Sequence, residues 1–324
     1  MVEVKFKKAS FSSRLFAFGA DLLLMVITAL GLVLAAQGIM RNVPYYKAAG
    51  QKIKDIELQT GLYITTNAAG DVYSLADYYK PENVDQYKSY CDDMNSALTN
   101  FYKMDQFFSD TEWSQKHYEE MKLDSKLFIY VDETHTALTP VDESEASLKK
   151  MFAFYGRTIK EDATIYISKY PGYVESGKTL NLSFIFIILL LPIVLSVSIF
   201  EYIIPLIFKR GRRTIGKLLF KTAVVDARGL TPSFLRFTLR FLFFLIIEVL
   251  LSAVAFLIPL IVSFTMYIFN KSDQSLHDYV VGTYVVDCSD IRVFNSEKEY
   301  FSAMEKAKEI NLEEKTVVYD DHGI

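Results

Sequence analysis

Two charged side chains border the first long apolar run in this sequence. Arg14 and Asp21 lie seven residues apart at the start of the run 22–40. On one helix they would share a face, about 10 Å apart. A charge beside a bilayer is costly unless it is paired or hydrated, so such residues commonly mark ion or substrate pathways. The pair is therefore a candidate charge cluster.

Two glutamates interrupt the apolar runs and extend this candidate charge cluster. Glu201 is the only charged residue in 182–208, and it lies about two helical turns from Lys209. It either forms an interfacial ion pair with Lys209 or Arg210 or belongs to an ion site. Glu248 lies deep in the next apolar run, where an ionised carboxylate is most costly. We therefore expect Glu248 to be protonated or paired inside a helix bundle.

The apolar runs predict membrane-spanning helices. Crossing the hydrocarbon core takes about 20 apolar residues, and 22–40, 182–208 and 241–270 all reach this length. The third run would extend about 45 Å as a single helix, which is long for one span and short for two. Pro259 lies just past its middle. Either one tilted span leaves the tail outside, or a hairpin near Pro259 returns it to the cytoplasm. We favour the hairpin.

Positive charge predicts the orientation of these spans. Residues 209–240 contain nine Lys and Arg against one acid, which predicts a cytoplasmic loop attracted to anionic lipid. Arg236 and Arg240 are four apart and are expected in an interfacial first turn. The basic segment 1–13 predicts a cytoplasmic N-terminus. A cleavable signal peptide is the alternative, but charges interrupt the segment before the apolar run.

Residues 41–180 differ from the rest because they are polar, rich in Tyr and Phe, and long enough for a domain. They follow the first span, and the N-terminus before that span is predicted to be cytoplasmic, so they are expected outside the cytoplasm. Aromatic residues repeat on one face of the predicted helix 84–108, where they are expected to form a core. His117 and His135 are isolated from other metal-ligand types and are expected at surface or core positions. Further helices are predicted at 46–61, 111–121, 144–155 and 161–168, and a strand at 127–131.

No pattern of catalytic residues, metal ligands or cofactor-binding residues is found in the sequence, so neither an enzyme nor a cofactor is predicted. The segment from Gly211 to Lys217 resembles a phosphate-binding loop, but residue 218 is Leu instead of Ser or Thr. The expected partners are the lipid bilayer and anionic lipid at 209–240, with a homo-oligomer left open and nucleic acid excluded.

Three segments carry a resemblance to a known family. They are the pair Arg14 and Asp21, the stretch 213–219 with 224–229, and the stretch 276–283. In this order, beside these apolar runs, they resemble the RDD family of bacterial membrane proteins. The family is named for an arginine and two aspartates, which match Arg14, Asp21 and Asp278. Other motif positions are Thr214, Gly216, Lys217, His277, Gly282 and Thr283.

The resemblance covers 9–40 and 182–290. The insert 41–180 departs from it, since members commonly have a shorter connection there. The resemblance implies an integral membrane protein for which transport, including cation/proton antiport, has been proposed. If Arg14, Asp21 and Asp278 were ionised in one cluster, one carboxylate would remain that the arginine does not neutralise, and it could bind a cation or a proton. The alternative is that the three residues only clamp helices together at the cytoplasmic interface, without ion flux.

Together these observations predict a mainly α, polytopic helical membrane protein of three or four spans with a mainly helical α+β insert outside the cytoplasm. The expected parts are 1–40, the insert 41–180, a membrane core 181–290 and an acidic tail 291–324. We expect the protein in a bacterial plasma membrane, with a transport-related role. The alternative is an anchored sensor whose insert recognises a ligand. On the hairpin arrangement, Asp278 is the expected partner of Arg14.

Overall fold

The structure is a computed structural model that describes residues 6–66, 70–131, 137–208, 210–269, 273–289 and 292–320, with backbone alone for 309–320. The chain is mainly helical and separates into two compact units. The bipartite unit consists of Met1–Ala36 and Ile187–Ile324, and the inserted unit is Gln37–Phe186. His135 lies outside the described residues.

The first apolar run forms helix α1 (Phe11–Met40). Its 30 residues extend about 45 Å, which exceeds the thickness of a hydrocarbon core. One side of α1 is strongly exposed at Leu23, Ile27, Leu30 and Leu34. In a protein surrounded by water such apolar side chains would be buried, so their exposure fits contact with lipid.

The inserted unit is helical with two small hairpins. Asn83, Asp110 and Ser144 each cap a helix by accepting a backbone N–H with the side chain. The C-terminal part of the predicted aromatic face is buried, with Phe101 and Tyr102 fully enclosed, whereas Tyr87 and Tyr90 are half-buried. The elements are α2 (Pro44–Gln59), β1 (Tyr63–Thr65) paired with β2 (Val72–Ser74), α3 (Leu75–Tyr78), α4 (Val84–Phe101), α5 (Thr111–Asp124), β3 (Phe128–Tyr130) paired with β4 (Leu138–Pro140), α6 (Glu145–Arg157), a π-helical turn (Thr158–Ala163) and α7 (Thr164–Lys169).

His117 has a carboxylate neighbour in the inserted unit. Its Nε2 lies 3.2 Å from Asp162 Oδ1 and its ring stacks on Trp113. Asp162 belongs to the π-helical turn, 45 residues along the chain, so sequence spacing gave no sign of the contact.

The second apolar run belongs to helix α8 (Pro171–Ile207), which starts at a proline. Its winding is π-helical over Phe184–Leu190 and Ile199–Ile203. Pro192 and Pro205 lie two positions beyond the ends of these stretches. A proline removes one backbone hydrogen bond and displaces the carbonyl of the preceding turn, which favours the wider winding.

The third apolar run forms two helices. Helix α10 (Phe234–Val254) ends before Pro259, and a turn with positive φ at Phe256 and Leu257 leads into α11 (Ile258–Phe269). Ser252 Oγ accepts the backbone N–H of Leu260 at 3.2 Å and so links α10 to α11. The twelve residues of α11 extend about 18 Å, less than a full span. Within the described residues, α1, α8 and α10 are long and apolar enough to cross a membrane.

A small sheet joins segments that are distant in sequence. Helix α9 (Ile215–Leu219) precedes β5 (Thr222–Asp226), which pairs antiparallel with β6 (Thr283–Asp287) in the register Val224↔Val285. The N-terminal segment adds to its edge, since the N–H of Ala9 donates to Val285 O at 3.1 Å. The sheet therefore holds the segment after α8 beside the segment after α11. The remaining helices are α12 (Leu276–Val281) and α13 (Glu297–Asp320).

Helix α9 is a short helix of five residues that follows Thr214 directly. Thr214 explains the short helix, because its Oγ1 accepts the N–H of Lys217 at 3.2 Å and caps the first turn. Gly211 sets the approach to it, with φ of +70° and a position where a Cβ would lie 2.6 Å from the Cβ of Ala223. A larger residue at 211 would collide with β5.

Candidate functional site

Asp21 fastens α1 to α9. Its carboxylate is fully buried and accepts hydrogen bonds from the Thr214 hydroxyl and from the Gly216 N–H, the latter at 2.7 Å. Gly216 is needed for this contact, since a Cβ there would lie 2.0 Å from Ala17 O and 2.8 Å from Asp21 Oδ2. The motif residues of the first and second segments therefore meet in a close helix contact.

Lys217 connects this contact to Glu201 on α8. Its Nζ lies 3.6 Å from Glu201 Oε2 and 3.3 Å from Thr214 Oγ1, and both charged side chains are almost buried. The expected pairing of Glu201 with Arg210 is wrong, because Arg210 pairs with Glu299 at 3.1 Å. The alternative partner Lys209 lies outside the described residues.

Asp278 is paired with Arg240. Arg240 Nε donates to Asp278 Oδ1 at 2.7 Å, and each side chain is 6% exposed. Asp278 also accepts hydroxyl hydrogen bonds from Ser275 at 2.8 Å and Thr283 at 2.6 Å. Burial alone would raise the pKa of Asp278, but the charge and the hydrogen bond of Arg240, with the hydrogen bond from Thr283, hold it well below the usual range. Asp278 therefore favours the ionised form and accepts hydrogen bonds from Arg240, Ser275 and Thr283.

This pair corrects the expectation that Arg240 lies at the interface. Arg240 is buried and faces the interior, while Arg236, four residues earlier, contacts Asp226 at 3.3 Å. Helix α12 explains the arrangement. It ends at Gly282, whose φ of +69° is in the left-handed region, and this turn brings Thr283 back to Asp278.

His277 bridges Arg240 and Glu248. Glu248 Oε1 accepts the backbone N–H of His277 at 2.9 Å and lies 2.8 Å from its Nδ1. On the other side of the ring, Arg240 Nη2 lies 2.9 Å from His277 Nε2. Arginine can only donate, so Nε2 is the acceptor and Nδ1 carries the proton given to Glu248. The result is a continuous chain from Glu248 through His277 and Arg240 to Asp278.

Arg14 does not pair with Asp278, so the expected partnership is wrong. Its guanidinium lies 4.3 Å from the ring centroid of Tyr267, donates to the backbone oxygen of Asp273, and lies 3.9 Å from Asp273 Oδ1. Arg14 is buried, and its Nε has no hydrogen-bond partner among the described residues. The three family residues thus lie in three separate contacts.

A cavity of about 380 Å³ in the bipartite unit brings most of these groups together. Arg14, Lys217 and Arg240 line it, balanced by Glu201, Glu248 and Asp278, with His277 as a further titratable group. Asp21 is not among the lining residues. The remaining walls are largely apolar, with contributions from Leu15, Phe18, Phe244, Leu260, Ile261 and Phe264. Volume and lining suit a binding pocket.

The two glutamates occupy irregular helix. Glu201 lies in the π-helical stretch Ile199–Ile203 and Glu248 in Phe244–Leu250. Such wide turns occur frequently at functional sites because they reposition single side chains and loosen the backbone hydrogen bonding around them. Both cavity glutamates are therefore held where the helix has departed from regular winding.

Sequence reasoning missed four residues of the site: Arg240, Asp273, Ser275 and Tyr267. Arg240 could have been found, because it begins an apolar run and such a charge requires a counterion. The other three contribute a backbone oxygen, a hydroxyl and a ring face, and their spacing from Arg14 or Asp278 carries no recognisable pattern.

These features define a multi-pass helical membrane protein with a charged cavity among its helices. Residues 152–282 match the model of the RDD family, which confirms the resemblance drawn from the motifs. The match begins inside the inserted unit, earlier than the expected 182, and leaves out Arg14 and Asp21. No curated protein and no solved structure matches the chain.

Proposed function

We propose that this chain is a transport-related membrane protein whose cavity binds and releases a proton or a cation. The observation that carries the proposal is the contact of Glu248 with His277 inside the cavity, where Glu248 Oε1 lies 2.8 Å from Nδ1. A buried carboxylate beside a histidine can exchange a proton without creating an unpaired charge. The cavity residues serve binding, and no catalytic step is proposed.

The charged residues divide into two roles in this proposal. Asp21 and Asp278 hold helices together, because each is saturated by hydrogen bonds. Glu201 and Glu248 exchange the ion. Glu201 is the less saturated of the two, since its nearest cation, Lys217, is 3.6 Å away.

Proton binding at His277 would be coupled to the Arg240–Asp278 pair. A second proton on His277 would sit on Nε2 and face Arg240 Nη2 at 2.9 Å, so two donors would oppose each other. Arg240 would then have to move from the ring. Because Arg240 also binds Asp278, this movement offers a link between protonation and the position of α12.

The proposed orientation places the N-terminal segment, residues 210–233 and residues 273–289 in the cytoplasm of a bacterial cell, and 41–180 outside. Support comes from the sheet, which joins β5, β6 and the N-terminal edge, and from the positive charge of the loop after α8. A reporter fused at either end tests this orientation.

The functional experiment uses the full-length protein in proteoliposomes that enclose a pH-sensitive dye. Imposed gradients of Na⁺ or K⁺ should drive proton movement, and Glu248→Gln should abolish it while the protein remains folded. Glu175→Gln is the matched control, because Glu175 lies on α8 outside the cavity lining, with a side chain that is 78% accessible and pairs with Lys52. Undiminished flux in Glu248→Gln would refute the ion-exchange role.

A membrane-anchored binding protein is the second candidate. It is favoured by the inserted unit, which has its own core around Leu62, Met94, Leu98 and Phe101. Expression of residues 41–180 as a separate chain tests this candidate. A folded product that binds a cell-wall component or peptide would support it, and a chain that stays unfolded would count against it.

A further inference from the structure

Beyond the central cavity, the bipartite unit has a second pocket of about 470 Å³ at the end of α8. Three arginines line it: Arg210, Arg213 and Arg292. Its other walls are Ile207, Phe208, Leu218 and Val293. A pocket with basic and apolar walls at the end of a candidate span matches the depth at which lipid phosphates meet acyl chains.

Arg213 supplies the clearest sign of a missing ligand. Its Nε is buried and has no hydrogen-bond partner among the described residues. Buried donors of this kind are normally satisfied, so an unpaired one needs an explanation. The guanidinium also interacts with Cys288, but a thiol does not balance its charge.

The other two arginines share one carboxylate. Arg210 Nη2 and Arg292 Nη2 lie 3.1 and 3.2 Å from the same oxygen, Glu299 Oε1. Both arginine side chains are more than half exposed, so they keep free donors toward the pocket. Three guanidinium groups against one carboxylate leave a net positive pocket, which suits a phosphate.

We propose that this pocket binds the phosphate headgroup of an anionic membrane lipid. Arg213 and Arg292 contact the phosphate, and the apolar side chains Ile207 and Phe208 contact the first methylenes of the lipid chains. Glu299 competes for the arginines and lowers the affinity. The basic loop predicted a diffuse attraction, whereas this site adds Arg292 from beyond β6 and is limited to particular arginines. The site is independent of the proposed transport.

The test compares arginines of equal charge at different positions. Full-length protein in detergent is titrated with phosphatidylglycerol or phosphatidylcholine, and bound lipid is counted by native mass spectrometry. Arg213→Gln and Arg292→Gln should each weaken phosphatidylglycerol binding about fivefold, as expected for the loss of one arginine near a membrane surface. Arg228→Gln is the control, because Arg228 belongs to the same basic loop but pairs with Asp226 at 2.9 Å.

A gain-of-binding variant guards against misfolding. Glu299→Gln removes the competing carboxylate and should tighten phosphatidylglycerol binding severalfold. An equal loss in Arg228→Gln and Arg213→Gln, equal binding of phosphatidylcholine, or weaker binding in Glu299→Gln would overturn the proposal. Full displacement of the lipid by millimolar inorganic phosphate would show that the pocket takes free phosphate, and this would also overturn it.

Discussion

Arg240 donates its Nε–H to Asp278 Oδ1 at 2.7 Å, although the two residues are separated by 38 positions and lie on α10 and α12. Each supplies the counterion that the other needs, since both are buried. A buried ion pair stabilises a fold only when its remaining donors and acceptors are satisfied. Here Ser275, Thr283 and His277 complete the bonding. The pair is therefore expected to fix the position of α12 against α10.

The first prediction concerns this pair. Asp278→Asn leaves the Arg240 charge buried without a counterion and should lower the free energy of unfolding by about 3–5 kcal/mol. Thermal unfolding of the full chain in detergent measures the loss. The control is Asp124→Asn, because Asp124 lies at an exposed position on α5. Substitution of both partners, Arg240→Met with Asp278→Leu, should restore much of the stability.

The same pair has a defined pH dependence. The pKa of Asp278 is lowered in the folded state, so its contribution is complete above the ordinary carboxyl pKa of about 4 and is lost as the pH falls toward the folded-state value. The stability difference between wild type and Asp278→Asn should therefore stay constant from pH 8 to 5. A difference that disappears between pH 8 and 6 would contradict an ionised Asp278.

The second prediction concerns the contact of α1 with α9. Gly216→Ala places a Cβ 2.0 Å from Ala17 O, so the helices must separate and the Asp21–Gly216 hydrogen bond must lengthen. We expect a loss of about 1–3 kcal/mol in unfolding free energy, the usual cost of overpacking. Gly19→Ala is the matched control, because a Cβ at Gly19 meets no atom within 4 Å. It should be neutral or slightly stabilising, and an equal loss in both variants would contradict the close contact.

The sequence predicted the helices better than it predicted the contacts. Apolar length located α1, α8 and α10, and Pro259 marked the region where the third run reverses. The partner of Asp278 was not predicted correctly, because a charge at a membrane boundary shows the need for a counterion without identifying it. Arg14 was expected because it is the arginine of the family motif, but β5 and β6 bring α12 beside Arg240. Pairing through a sheet of this kind depends on tertiary register, which local sequence patterns do not encode.

The third prediction concerns a lysine of the inserted unit whose charged group is partly buried. Lys122 Nζ lies 4.3 Å from the ring centroid of Tyr118, and burial lowers the pKa of Lys122 to about 8. The shift of the pKa from 10.5 to about 8 corresponds to a destabilisation of the folded state by about 3 kcal/mol as an upper bound. Substitution of Lys122 also removes the cation–π contact with Tyr118, which stabilises the folded state by about 1 kcal/mol. Lys122→Met should therefore stabilise the inserted unit by about 2 kcal/mol at pH 7.

The pH dependence of this effect follows from the sign of the shift. Below pH 8 the lysine is protonated in both states and the full penalty applies, whereas between about 8 and 10.5 the folded state has lost a proton that the unfolded state still binds. Wild-type stability should consequently rise over this range, and the advantage of Lys122→Met should shrink. Trp113, the single tryptophan of the chain, lies on α5 together with Lys122, so its fluorescence reports unfolding of this unit. Lys150→Met, at an exposed position, is the control and should show neither the stabilisation nor the change with pH. A Lys122→Met advantage that persists unchanged to pH 10.5 would show that packing alone, and not desolvation of the charge, sets the stability of this site.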